Sequence, residues 1–230
     1  MKSLTIFLSL VFIICMESSA QSDYGRFWLT GDGDGFDSIQ HYGGCLVDFK
    51  GQPPMLRGLD LSGGIGFGSS LLMSNASGRP LFYSNGCKIW NMKGDLLKWG
   101  DSLDFPGPLW HNSCEFFTLG YDAHFHGMVA LPVPNDTSLY TIFHLWADGQ
   151  TFNNRSLLYT TVDMSKAAGE GEVVEKNEVL MLDSLSDGIS AVKHGNGRDW
   201  WVFNSVLGAD YAYLTLLTAD GVKAPQKVDS

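Results

Sequence analysis

Histidines, carboxylates and tryptophans are the residues through which this chain could do chemistry, and their spacing limits what that chemistry is. His124 and His126 stand two apart, so on a strand they would share a face. Joined by His111 or His144, they would offer imidazole nitrogens to a metal ion. A zinc site takes three or four ligands, spacing brings no third one to this pair, and no metal is expected. Asp32, Asp34 and Asp37 in GDGDGFDS resemble a calcium loop, but Phe36 stands where an oxygen ligand is required. An acidic loop is the plainer expectation.

The sharpest local motif is Lys193-His194-Gly195-Asn196-Gly197. Its cation and imidazole could point into a central channel and touch a ligand. The competing reading is a hairpin in which Gly and Asn take positive φ and His194 caps the turn. The seven tryptophans (28, 90, 99, 110, 146, 200 and 201) could form a sugar-stacking platform or simply fill space between sheets. Trp110 lies in an irregular stretch and is the one expected to be exposed. Lys193, His194 and Trp110 are therefore the candidate ligand-binding residues. Ala147 to Phe152 (ADGQTF) is one residue short of the Asp-box spacing S-x-D-x-G-x-T-W, and a plain turn explains it better. No Arg cluster suited to a sialic carboxylate stands out. Sequons open at Asn75, Asn135 and Asn154. GxSxG, HExxH, P-loop and dinucleotide motifs are absent, and no nucleophile pairs with a base by spacing. No catalytic residue and no cofactor is expected.

Any such site must be positioned by strands. In Gly68 to Asp101 the pieces GSSLLMSN, RPLFYSNG, CKIWNMKG and DLLKWGD succeed one another, each apolar or aromatic and closed by Gly, Asn or Asp. That is the pattern of a four-stranded antiparallel meander. Its strands are expected at 69–74, 80–84, 88–91 and 96–99, with Asn85-Gly86 as a type I′ hairpin turn. A second set is expected at 128–132, 139–146, 157–164 and 173–182, and a third at 189–193, 200–204, 211–217 and 222–228. Residues 24–60 supply strands at RFWLT, CLVDFK and PPMLRG, read as a meander lacking its first strand. Pro106 and Pro108 make 101–126 a long insertion, and Lys166-Ala167-Ala168 is suited to one helical turn. Meanders repeating at intervals of about 40–70 residues point to an all-β fold, a partial or small β-propeller of about three to four four-stranded blades.

The chain opens as an export signal does. Lys2 is succeeded by an apolar run, Leu4 to Cys15, too short to span a bilayer, and Ser18-Ser19-Ala20 suits cleavage before Gln21. Ile14 is too large for a lipobox before Cys15. The expected division is a signal peptide over 1–20 and one domain over 21–230, without an integral membrane span after cleavage. The formal charge of -10 repels phosphate backbones, so nucleic acid is not an expected partner. Cys45, Cys87 and Cys114 remain after cleavage, enough for one disulfide and one free thiol, with the pairing open.

Three stretches carry a family resemblance. The first is RPLFYSNGCKIWNMKGDLL, whose match runs from Leu81 to Asn91. The second is LLYTTVDMS with the Gly-rich and Asn-Glu-Val-Leu pieces after it, over Tyr159 to Asn177. The third is AVKHGNGRDWWV, over Ala191 to Val202. They resemble the N-terminal, WD40-like propeller region of large secreted proteins that end in gliding-motility-associated or type IX secretion sorting domains. The resemblance implies a secreted or cell-surface propeller module that binds or scaffolds a protein or glycan ligand and is no enzyme. It supplies no catalytic residues. The sequence as far as Ser230 holds no sorting domain and an expected count of about three and three-quarter blades, which fits either a truncated or partial chain or a small ring that supplies its own missing strand. An open arc would leave strand edges through which copies could self-associate. The alternatives are a propeller-type glycan hydrolase or lyase, which needs two carboxylates in a funnel, and a structural fragment that closes its ring with another chain.

Overall fold

A computed structural model describes residues 23–31, 44–59, 65, 70–116, 120–121, 126–147 and 154–229. The expected signal peptide, the Asp32–Asp37 loop, His124 and Asp148 to Phe152 lie outside these residues.

The fold is all-β, with four antiparallel sheets of three to five strands. The first sheet is β1 (Phe27–Thr30), β2 (Gly44–Asp48) and β3 (Met55–Leu59), in that order. The second is β4 (Leu71–Ser74), β5 (Pro80–Ser84) and β6 (Ile89–Asn91). The third is β7 (Met128–Pro132), β8 (Leu139–Ala147), β9 (Asn154–Asp163) and β10 (Glu172–Leu185). The fourth runs from β11 (Ser190–Lys193) through β12 (Trp200–Ser205) to β13 (Tyr211–Thr218), whose far edge takes both β14 (Gly221–Val222) and β15 (Gln226–Asp229).

Each sheet is a run of neighbouring strands, so the meanders expected from turn spacing are present. Among the described residues, four regular strands are present in the third sheet, as expected, and not in the other three. The Leu96 to Trp99 segment makes only single bridges, Trp90 with Leu96 and Lys98 with Glu172. The expected last strand is two, because Pro225 has no N–H to donate to the ladder. In the first sheet β1 lies beside β4, and β4 lies beside β7. Among the described residues this sheet therefore begins with the strand nearest its neighbour, where a missing first strand was expected, and has none beyond β3. Asn85-Gly86 is not a type I′ turn either, because only Gly86 has positive φ, +82°. Asn85 Oδ1 instead accepts the N–H groups of Cys87 (3.0 Å) and Lys88 (3.3 Å) in a longer loop. A Cβ on Gly86 would meet Tyr121 Cβ at 2.8 Å.

Strand alternation divides the core into layers between consecutive sheets. Leu29 and Ile65 pack with Tyr83 and Trp90 between the first and second sheets. Met73, Phe82 and Ile89 meet Tyr140, Ile142 and Val162 between the second and third. Phe143, Leu145 and Leu157 meet Val202 and Leu217 between the third and fourth. On β8, residues 140 and 142 face one neighbour while 143 and 145 face the other, so this strand is buried on both sides.

The 101–116 insertion is a short helix α1 (Pro108–Trp110) running into a π-turn (His111–Phe116). A disulfide between Cys87 and Cys114 fastens it to the β5–β6 loop, and among the described residues Cys45 is the free thiol. Trp110 and Tyr121 are buried around that bridge. A single 3₁₀ turn covers Ala167–Gly169, where one helical turn was expected.

Candidate ligand-binding groove

A groove of about 550 Å³ opens where the first strands of three sheets come together. Phe27 to Thr30 of β1, Ser70 to Leu72 at β4 and Met128 to Ala130 of β7 form its walls, with Val47 and His126 beside them. The sheet geometry explains the convergence: β1 lies beside β4 and β4 beside β7, so the first strands of three meanders bring residues distant in sequence along one line. Trp28 is 66% exposed there, an indole that the fold leaves in solvent. Its edge is steadied by Phe49, with ring centroids 5.0 Å apart. Thr30, Ser70 and His126 are the polar side chains of the lining. His126 is exposed and takes positive φ, +57°, a region in which His is enriched among non-Gly residues. Among the described lining residues there is no carboxylate, so the groove offers stacking and hydrogen bonding rather than a pair of acids.

None of the three sequence-derived candidates lines this groove. Trp110 is only 5% exposed, which corrects the expectation that it is solvent-facing. Its Nε1–H donates to Leu103 O at 2.7 Å, and its ring packs against the disulfide cluster. The irregularity around Pro106 and Pro108 reflects a covalently pinned loop, whose cysteine partner no spacing could identify.

Lys193 and His194 sit at the β11–β12 hairpin, and the capping alternative describes them. His194 Nδ1 accepts the Asn196 N–H at 3.0 Å, and Gly197 has φ +71°. The His194 ring lies 5.4 Å from Trp201. Lys193 Nζ donates to Arg198 O at 3.0 Å and lies 3.9 Å above the Trp200 ring. Burial lowers the Lys193 pKa, and Asp199 opposes that shift. Asp199 itself is held down to about 2, first by its hydrogen bond from Arg198 and then by Asn196.

One constellation has the order of a hydrolase triad. His144 Nδ1 lies against Asp104 Oδ1, and its Nε2 is 3.0 Å from Thr160 Oγ1. All three are buried. Thr160 Oγ1 accepts the Asn177 N–H at 3.1 Å, which leaves its own proton for His144 Nε2. Asn177 also donates to Ser102 O and Asp104 O and accepts the Asp104 N–H. The hydroxyl is committed and sealed from solvent, so the arrangement ties residues 102–104 to the third sheet and attacks nothing. The sequence contains no signal for it, because Asp104 and His144 are forty positions apart and share no motif.

His111 pairs with Glu115 on the surface at 2.7 Å, away from the buried His144. Among the described residues no three His, Cys, Asp or Glu side chains group as metal ligands. No described helix is long and apolar enough to cross a membrane. No protein-family model, no curated protein and no solved structure matches the chain.

Proposed function

We propose that this chain is an exported binding module of the propeller type, and that the groove at β1, β4 and β7 receives its protein or glycan ligand at the cell surface. The observation that carries the reading is the convergence of first strands on an exposed indole flanked by hydroxyl and imidazole groups. Consecutive meanders stacked through three apolar layers support this reading, because blades of a propeller pack side against side in the same way. The Cys87–Cys114 bridge suits an oxidising compartment, in keeping with the apolar segment near the N-terminus. An aromatic platform with a few convergent polar groups suits recognition. The test is retention of the protein on arrays of defined glycans and of peptides. Wild-type protein should be retained by a restricted set, and Trp28→Ala should lose that set while keeping its melting temperature. Retention unaffected by Trp28→Ala would overturn the assignment of the groove.

A second reading, closure of the ring by another chain, is favoured by the outer faces of the two end sheets. Trp28, Val47 and Leu56 share one such face, with Leu56 72% exposed. Val192, Trp201, Phe203, Leu214 and Leu216 share the other, with Val192 63% exposed. Neither row carries a charge, and each resembles the faces already stacked inside the molecule. The occupant that fits is a second copy, the last sheet of one covering the first sheet of the other. Sedimentation should then show a concentration-dependent dimer that Leu56→Asp and Phe203→Asp each dissociate. Wild-type protein that stays monomeric at high concentration would exclude it.

A further inference from the structure

The strongest unexplained feature lies away from the groove, at Trp99. Residues Leu97 to Gly100 form a turn closed by Gly100 N–H to Leu97 O at 2.8 Å. Trp99 is its third residue and has φ +63°, while Lys98 is not in the positive-φ region. That is a type II turn, whose third position is suited to Gly and strained for a bulky side chain. The turn cannot relax easily. Ile89 N–H donates to Gly100 O at 2.8 Å and Leu97 N–H to Ile89 O at 3.0 Å. A Cβ on Gly100 would sit 2.7 Å from Ile89 O. Burial does not repay the strain, since Trp99 is 61% exposed. Neither backbone preference nor core packing accounts for an indole here.

What the indole does face is an open depression of about 500 Å³ shared with Lys166, Lys176, Glu172 and Val174. Glu172 is already paired with Lys98 at 3.1 Å. Lys176 lies 3.5 Å from Asp101, and Lys166 enters no ion pair among the described residues. The lining thus carries two ammonium groups and one carboxylate, in a chain whose net charge is -10. The backbone beside the depression is unusual as well: Ser102, Asp104 and Asn177 all take positive φ. Strain of this kind concentrates at ligand-binding positions.

We propose that this depression binds an acidic sugar of an anionic polysaccharide, the ring stacked on Trp99 and its carboxylate held by Lys166 and Lys176. The C–H face of a sugar ring complements the negative face of an indole, and the ammonium groups select the charged form. The site is independent of the groove at β1, β4 and β7.

The experiment is calorimetric titration of the full chain with an oligogalacturonate and with its fully methyl-esterified, neutral form. The oligogalacturonate should bind more tightly than the ester. Trp99→Gly should weaken it by roughly tenfold or more, on the order of one good aromatic contact, while raising or preserving the melting temperature because Gly suits the turn. Lys166→Gln with Lys176→Gln should abolish the preference for the acid over the ester. Trp28→Ala should leave this binding unchanged, which separates the two sites. The proposal fails if wild-type protein binds neither form, if inorganic phosphate competes as well as the oligogalacturonate does, if Trp99→Gly binds normally, or if Trp99→Gly lowers the melting temperature as loss of a packing residue would.

Discussion

Arg26 and Asp48 show how a single pair shapes the response of the first sheet to pH. Arg26 donates through Nε and Nη2 to the two oxygens of Asp48, at 2.8 and 2.6 Å. That hydrogen bond, helped by the Lys50 N–H, holds the Asp48 carboxyl down to about 2. A carboxyl whose folded-state pKa lies below its unfolded value, roughly 3.9, contributes stability above that value and loses it as pH falls toward the folded one. Stability should therefore drop between about pH 4 and pH 2, with Asp199 adding to the same window because it too is held near 2. In Arg26→Met the loss over this window should be shallower, measured by urea unfolding at each pH. An unchanged slope would show that the pair is not coupled to folding. His144 makes a stronger demand. Replacing it with Ala leaves the Asp104 carboxyl buried without its hydrogen-bond partner, a change that costs about 1–3 kcal/mol. Urea unfolding of His144→Ala should show a loss in that range and faster amide exchange over residues 101–105, whereas a loss below about 1 kcal/mol would contradict the buried-pair account. The turn residues of the sheets are legible in the sequence because their chemistry is local. Asn75, Asn91, Asp136 and Asn196 each accept backbone N–H groups two to four residues on through a side-chain oxygen. The Asp104–His144–Thr160 link is not legible, since it depends on how a loop lies on a different sheet.

At the scale of elements the contrast is the same. Strands such as Pro80–Ser84 and Met128–Pro132 come directly from apolar runs bounded by turn residues. The segment from Leu96 to Trp99 reads equally well as a strand, yet Gly100 and Ile89 draw it into a turn, and that interaction is with another strand. The pairing of Cys87 with Cys114 closes a loop of 27 residues and brings α1 and the π-turn against the β5–β6 loop. Loop-closure entropy for that length corresponds to roughly 3–4 kcal/mol. Cys87→Ser with Cys114→Ser should lose about that much in urea unfolding and expose the Trp110 indole, seen as a red shift of tryptophan emission. An unshifted spectrum with unchanged stability would mean that the insertion packs without its bridge. The groove residues Thr30 and Ser70 carry no motif and His126 reads only as half of a metal pair, because the three lie at the first strands of different sheets and only the convergence of those strands brings them together.

At the scale of the whole molecule, four meanders stacked through three apolar layers leave a cleft where the first strands of three of them meet. The composition is consistent with a surface for recognition: an acidic, aromatic-rich chain whose tryptophans divide between interior and solvent. Trp90 and Trp110 are interior, whereas Trp28 and Trp99 are not. The most direct measurement is therefore the indole N–H spectrum of nitrogen-15-labelled protein, titrated with the glycan or peptide that arrays select. A ligand seated in the groove should shift the Trp28 resonance, leave Trp90 and Trp110 in place, and be recovered chemically intact. A Trp28 resonance that stays put while ligand binds, or a ligand recovered cleaved, would contradict the account.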